Sequence, residues 1–382
     1  MKLLLGILLK KMRLNRMTYC ILKHIVALKR DKCNKYNQEE INNAIEMLNS
    51  FHQDVHSSCL TNNAIQKLFD LQIIVPVYNV ERFIEDCIES VLNQQTKYSY
   101  CLTIINDGSP DNSRQLLKKY ENLNLKNHVV EIIDQENKGH SGARNAGLTT
   151  IKGKYITFLD SDDRLYPGAI DAFMNAAVKY NADIVQGGYI SISVDGSIRK
   201  RHPSTFKISF SDDNHLVGFI CSKVYRAELF KHIHFPEKYW FEDTICAYML
   251  FQLADIRVSI DEYVYEYRRN ESSITFTSRG NNKSLDTVYI TESLIKDAMH
   301  FDYFNSQKFY ARQFQQIKGN CVRLFALKNA AVEKSAFLFH CYLIEKYFNS
   351  KELESNDYAL REMYRAIQSH NYKLYRLISY LL

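Results

Sequence analysis

Leu71-Gln72-Ile73-Ile74-Val75-Pro76-Val77-Tyr78-Asn79 is a short apolar run that ends abruptly in polar residues. Such a run, too short for a buried helix and without hydrophobic alternation, reads as a strand covered on both faces of a mostly parallel sheet. The pattern then repeats. Phe83, Ile84, Cys87, Ile88, Val91 and Leu92 fall on one helical stripe, and a second strand, Leu102–Ile105, ends in Asn106-Asp107-Gly108-Ser109 before a helix capped near Asp111. A third strand, Val129–Ile133, leads through a glycine-containing loop to a helix from about Ser141, whose hydroxyl is the expected N-cap. A fourth, Tyr155–Leu159, ends in Asp160-Ser161-Asp162-Asp163, with Pro167 suited to the next helix start. The fold class is therefore α/β with a mostly parallel central sheet.

Outward from this core the texture changes. After a fifth strand, Ile184–Gly187, Ser191–Val194 and Ser197-Ile198 flank Asp195-Gly196, a hairpin signal. Upstream, residues 1–70 read as a helical, basic extension, with Ile41, Ala44, Ile45, Leu48, Leu60, Ile65 and Leu68 at helical spacing. From about Ser284 to Leu382 the chain is helical again, so the expected divisions are 1–70, 71–283 and 284–382.

Composition narrows the class. A chain of 382 residues with 46% hydrophobic and 24% charged residues is an ordinary globular protein, neither disordered nor polytopic in a membrane. The nine cysteines are scattered without a Cys-x-x-Cys pair, which points to thiols in a reducing, cytoplasmic setting. Leu3–Leu9 is too short to span a bilayer and lacks a signal-cleavage site. The net charge of +6 is concentrated at the start, where Lys2, Lys10, Lys11, Arg13, Arg16, Lys23, Lys29 and Arg30 occur with no acidic residue among the first thirty. That pattern suits a helix on the inner face of an anionic membrane, and equally a basic helix packed on its own domain. No nucleic-acid-reading motif accompanies it.

Ligands of open α/β sheets bind beyond the carboxyl ends of the strands, where loops converge and helix N-termini point outward. Four polar motifs sit at those ends here. Each alone could be a cap or a turn; together at one sheet edge they point to a site. Asp160 and Asp162, two apart at a strand end, project to one side, as two oxygen ligands of a hard divalent cation would.

In order and spacing, Ile73–Asn79, Ile105–Ser109, Asn137–Gly147 and Tyr155–Asp163 resemble the family 2 glycosyltransferases with the GT-A fold. The resemblance implies an inverting, metal-dependent transfer of a sugar from a nucleotide-diphosphate donor, most simply a UDP-sugar, to a saccharide or lipid-linked acceptor, in bacterial surface-polysaccharide synthesis. It implies Mn²⁺ or Mg²⁺ on Asp162, with Asp160 shared between ribose and metal. Asp107 matches the residue that recognises the base, and Tyr78 the platform beneath it, beside Pro76, Asn79 and Ser161. Arg144 and Lys138 are placed toward the diphosphate, where a helix N-terminus and cationic side chains suit an anion. Glu242-Asp243 resembles the pair supplying the base: Asp243 takes the acceptor proton, and Glu242 supports it. Lys223, in Ser222-Lys223-Val224-Tyr225-Arg226, matches an acceptor-side stretch, and Arg268-Arg269, followed by Ser272–Thr275, a segment over the diphosphate. Two other readings stay open: a catalytically silent sugar-binding or scaffolding protein of the same fold, and a sugar nucleotidyltransferase, although the loop after the first strand lacks the glycines that the latter needs.

Overall fold

The computed structural model describes residues 15–28, 36–51, 57–121, 123–125, 127–270, 277–278, 280–349 and 351–381. The chain divides into two compact units, one formed by Ser57–Phe276 and the other by Met1–His56 together with Thr277–Leu382.

In Ser57–Phe276 the apolar runs become a parallel sheet. The strands are β1 (Ala64–Val77), β2 (Tyr100–Asp107), β3 (Asn124–Leu125), β4 (His128–Gln135), β5 (Thr150–Phe158), β6 (Arg164–Leu165), β7 (Ile184–Ile192), β8 (Ile198–His202), β9 (Lys207–Ser209), β10 (Lys223–Arg226) and β11 (Arg257–Arg268). Their order is β3-β4-β2-β1-β5-β10-β7-β11-β6, with β8 beside β7 and β9 beside β11. β4, β2, β1 and β5 run parallel, whereas β10 is antiparallel to both of its neighbours. Leu71–Val77 is buried throughout, as expected of a central strand covered on both faces. Connections leave β1 toward β2 on one side and enter β5 on the other. The crevice between β1 and β5 is therefore the topological switch point, where ligands bind in such sheets.

Two features corrected the sequence reading. Leu60, Ile65 and Leu68, read as helical, are extended: Leu60 bridges Ile233, and the other two lie in the first half of β1, where Ala64–Phe69 pairs with Thr150–Gly153 of β5 across a bulge. Three apolar residues in a polar stretch fit either period, and pairing with β5 decides between them. The helix after β4 starts at Gly139, before Ser141, so that Ser141 is buried inside the helix and does not cap it. The Asp195-Gly196 hairpin forms between β7 and β8, with Gly196 at φ +85°.

The helices here include α3 (Ile84–Leu92), α4 (Ser113–Leu117), α5 (Gly139–Leu148) and α6 (Ala169–Lys179), and a short helical stretch, Cys246–Leu250 and Phe251–Leu253, follows Asp243; α1 (Asn15–Leu28) and α2 (Gln38–Asn49) precede them in the chain. α3 buries Ile84, Cys87, Ile88 and Val91, the expected stripe. α5 approaches the sheet closely at Gly147, where an added Cβ would lie 2.8 Å from Ile74 Cγ2 and 3.2 Å from Ile105 Cδ1.

The other unit is helical: α1, α2, α7 (Asp286–Ala298), α8 (Gln307–Ala326), α9 (Ala330–Phe348), α10 (Tyr358–Gln368) and α11 (Tyr372–Leu381). α2 opens with a capping box, in which Glu40 N donates to Asn37 Oδ1 (2.8 Å) and Asn37 N to Glu40 Oε2 (3.0 Å). Of the basic N-terminal residues, Lys23 pairs with the buried Glu362 and Arg16 lies 4.4 Å from the Tyr358 ring centre. Lys2, Lys10, Lys11, Arg13, Lys29 and Arg30 lie outside the described residues, as does Leu3–Leu9. Among the described residues no helix is long and apolar enough to cross a membrane.

The Gly147 approach gives a direct check. Gly147→Val should destabilise Ser57–Phe276 by about 1–3 kcal/mol through overpacking against Ile74 and Ile105, read as an earlier urea midpoint at unchanged slope; an unchanged midpoint would contradict the close packing of α5.

Candidate active site

The parallel strands end together, so Tyr78-Asn79, Asp107 and Asp160 meet at one edge of the sheet. Asp107, the last residue of β2, is 2% exposed and its Oδ1 accepts from Gln135 Nε2 (2.6 Å) and from the Lys138 backbone N (2.8 Å). Gly108 must follow it: its φ is +67°, and a Cβ would meet Asn137 N at 3.1 Å. Pro76 is buried in β1 opposite Ile105, Tyr78 is 47% exposed beyond the strand, and Asn79 turns the chain at φ 53°. The Lys138 side chain is exposed at the start of α5.

Arg144 is the centre of the charge arrangement. Its side chain is 3% exposed; Nη2 donates to Asp160 Oδ1 at 2.7 Å and Nη1 to Glu242 Oε1 at 2.5 Å. The guanidinium also lies 5.4 Å from the centre of the Phe235 ring. The residue expected to face a diphosphate thus joins a carboxylate just after β5 to Glu242, far along the chain. Burial works to raise the Asp160 pKa, but Arg144 outweighs it and holds this carboxyl below its usual range.

Its neighbours go the other way. Burial, then the charge of Asp160, pushes Asp162 up to about 6. Asp163 is raised well above the carboxylate range by burial and by Asp162 and Asp160; its Oδ2 accepts from Tyr265 OH (2.7 Å) and its Oδ1 from Arg268 N (2.6 Å). Ser161 is buried between Asp160 and Asp162. Among the described residues no group of three or more His, Cys, Asp or Glu side chains is placed to hold a metal ion. Asp160 and Asp162 offer part of a shell, of the kind that a hard cation completes with phosphate and water oxygens.

Glu242 and Asp243 follow Phe241, whose φ of 67° is unusual for a bulky residue and turns the chain into the site. Asp243 Oδ1 accepts from the Ile220 backbone N at 3.2 Å. Burial first, then the charge of Glu242, pushes its pKa up to about 7, with Arg144 opposing. A carboxylate poised near neutrality is suited to general-base work.

The remaining expected residues are placed differently. Lys223 is wholly buried in β10 and its Nζ donates to the carbonyls of Phe219 (2.7 Å) and Cys221 (3.3 Å). Arg268, 2% exposed, spreads its guanidinium over Asp162 O (2.8 Å), Val194 O (2.9 Å) and Asp86 Oδ2 (2.9 Å). It therefore braces the Asp160–Asp163 turn from behind. Arg269 is exposed, its backbone N bonded to Ile192 O at 2.9 Å. Ser272–Thr275 lies outside the described residues.

Three residues at the site had no advance signal. Tyr265 OH accepts from Asp160 N (3.3 Å) while donating to Asp163, Cys221 Sγ lies 3.4 Å from Asp160 Oδ2, and the Ile220 amide holds Asp243. The alternation of Tyr263, Tyr265 and Tyr267 marks a strand, but nothing in it shows which tyrosine reaches the acidic turn.

Arg144→Met should cost about 2–4 kcal/mol of stability, because it leaves the half-buried Glu242 and Asp160 without their cation; the figure stays below that of a fully buried pair since Asp160 is partly exposed. Urea unfolding measures this, and a loss under 1 kcal/mol would show that the bridge is not the main tie.

Known proteins resemble the part of the chain that carries this sheet. The model of glycosyl transferase family 2 matches residues 72–234. Glycosyltransferase GlyA of Streptococcus pneumoniae is 29% identical over 221 residues, covering 54% of this chain and 31% of GlyA. The uncharacterized glycosyltransferase EpsJ of Bacillus subtilis is 31% identical over 219 residues, covering 54% of this chain and 62% of EpsJ. The chain thus spans less than two thirds of either relative. Other relatives in Bacillus subtilis are named for minor teichoic acid and teichuronic acid biosynthesis. Among solved structures, S. aureus TarS 1–349 in complex with UDP-GlcNAc superposes with a TM-score of 0.59 at 19% identity, covering 81% of this chain and 90% of that one. Over residues 72–234, then, this chain carries a region that matches glycosyl transferase family 2, set in a GT-A fold.

Proposed function

We propose that Ser57–Phe276 transfers a sugar from a UDP-sugar to a hydroxyl of a saccharide or lipid-linked acceptor with inversion, in the synthesis of a bacterial surface polysaccharide. The observation that carries this reading is the pairing of functions at one buried cation: Arg144 joins the donor-side Asp160 to Glu242, next to an Asp243 poised near neutrality.

Each residue has a task in that reaction. Both bonds to Asp107 fall on Oδ1, which leaves Oδ2 to accept from a ring N–H of uracil, with exposed Tyr78 against the base. Pro76 and Asn79 shape the first-strand turn, and Ser161 lies between the two metal-side carboxylates. Asp162, with Asp160, fits Mn²⁺ or Mg²⁺: burial and then the charge of Asp160 raise the Asp162 pKa, and a cation between the two carboxylates would offset both. When bound, that ion neutralises charge on the diphosphate leaving group. Lys138 and Arg269, both exposed, add cationic side chains toward the diphosphate. Asp243 takes the proton of the acceptor hydroxyl, whose oxygen attacks the anomeric carbon as the bond to the diphosphate breaks and UDP departs. One displacement inverts the centre. The binding of UDP-GlcNAc by TarS supports the choice of uridine, and the teichoic acid relatives support a surface polymer. A lipid-linked acceptor places the enzyme at the inner face of the cell membrane, where the basic start of the chain and the exposed Met17 and Ile21 of α1 favour peripheral contact.

A panel of nucleotide-sugars with purified protein tests the reading, with turnover expected for a UDP-sugar. The acid limb of kcat/KM should fall near pH 7, since Asp243 acts deprotonated and its raised pKa means that activity is lost as pH falls through that value. Asp243→Asn should remove that limb and lower turnover by about 10²–10⁴, with donor affinity changed by no more than a few-fold; near-normal turnover would move the base elsewhere. Metal dependence is checked separately. EDTA or Asp162→Ala should abolish transfer, and full turnover in EDTA would refute a cation at this site.

A further inference from the structure

Lys223 is wholly buried, and among the described residues its ammonium faces no carboxylate within ion-pair distance. Burying a cation against neutral groups alone is costly, so what its bonds hold in place is informative. Its partners are the carbonyls of Phe219 (2.7 Å) and Cys221 (3.3 Å), on either side of Ile220. The Ile220 carbonyl is held as well, by Tyr225 OH at 3.0 Å. Three successive carbonyls are therefore gripped from one side by two side chains of one strand.

Holding those carbonyls fixes the groups on the other side of the same backbone. The Ile220 amide donates to Asp243 Oδ1 at 3.2 Å, and Cys221 Sγ lies 3.4 Å from Asp160 Oδ2. The grip is rooted in the sheet: Lys223 pairs with Gln186 of β7, Val224 with Thr157 of β5, and Thr157 Oγ1 donates to Lys223 O at 2.7 Å. Between grip and loop the chain turns sharply at Ser222, φ 55°, a conformation that a serine adopts only when its surroundings enforce it. The Lys223 ammonium also lies 4.6 Å from the centre of the Phe219 ring, which closes the pocket over it.

We propose that Lys223 and Tyr225 are positioning residues: they clamp the 219–221 backbone so that the Ile220 amide holds the Asp243 carboxylate in line for the acceptor proton. Neither touches substrate. A lysine suits the task because its three donors can serve diverging carbonyls at once, which a methionine of similar length cannot. Burial lowers the Lys223 pKa to about 8, in keeping with an ammonium bonded only to carbonyls. The proposal rests on Asp243 being the base.

A cycle of variants tests it in the full chain. Lys223→Met should lower kcat by about 10–100-fold and Tyr225→Phe by about 3–10-fold, with the donor KM within about 3-fold of wild type for both. In an Asp243→Asn background each should cost less than about 3-fold more, because a clamp acting through the base has nothing left to position. Tyr225→Phe, which deletes a single hydroxyl, keeps the test valid if Lys223→Met does not fold. Equal fold-losses in both backgrounds, or a loss confined to donor KM, would overturn the clamp alone. Asp243→Asn turning over at near the wild-type rate would remove the base reading and the clamp with it.

Discussion

The site depends on one buried guanidinium. Arg144 is carried on α5, whose start is set by the loop after β4 and whose end is pressed onto the sheet at Gly147. A buried arginine is tolerable only when its charge is matched, and here the match comes from two directions, Asp160 at the end of β5 and Glu242 after the left-handed turn at Phe241. Asp160 belongs to the turn that carries Asp162, and Glu242 precedes Asp243. The same cation therefore ties the carboxylates read as the donor side to those read as the acceptor side. Removing either partner would leave an uncompensated charge, and this makes the arrangement rigid.

That rigidity sorts four acids into different states. Asp160 is held ionised by Arg144. Asp162, two residues on and without a guanidinium, is raised by burial and by Asp160, and Asp163, deeper still, is raised further while bonding to Tyr265 OH and Arg268 N. Asp243, half-buried beside Glu242, is pushed up to about 7. Environment, not residue type, separates the carboxylate proposed for the cation from the one proposed as base. Arg268 and Tyr265 of β11 brace the acidic turn through Asp162 O and the Asp163 carboxylate.

The sheet was legible because Leu71–Val77, Leu102–Ile105, Val129–Ile133 and Tyr155–Leu159 are apolar runs with polar ends, a pattern that burial on both faces imposes. Ile65 and Leu68 misled because a sparse apolar pattern in polar sequence carries no period of its own; pairing with β5 decided it. Asp107, Asp160, Asp162 and Asp243 stood out by their place after strands or before a helix. Directions of side chains did not. Nothing local in Ala143-Arg144-Asn145 says that the guanidinium turns to carboxylates, nor does Ser222-Lys223-Val224 say that the ammonium turns back over its own loop. Both depend on which strands become neighbours, and above all on the antiparallel insertion of β10 between β5 and β7.

The central claim is a single displacement at the anomeric carbon with Asp243 as base, and the stereochemistry of the product addresses it most directly. With a UDP-α-linked sugar as donor, proton NMR of the first-formed product should show a β-linked sugar. An α-linked product would contradict the account, because retention requires a second displacement or a different geometry around Asp243.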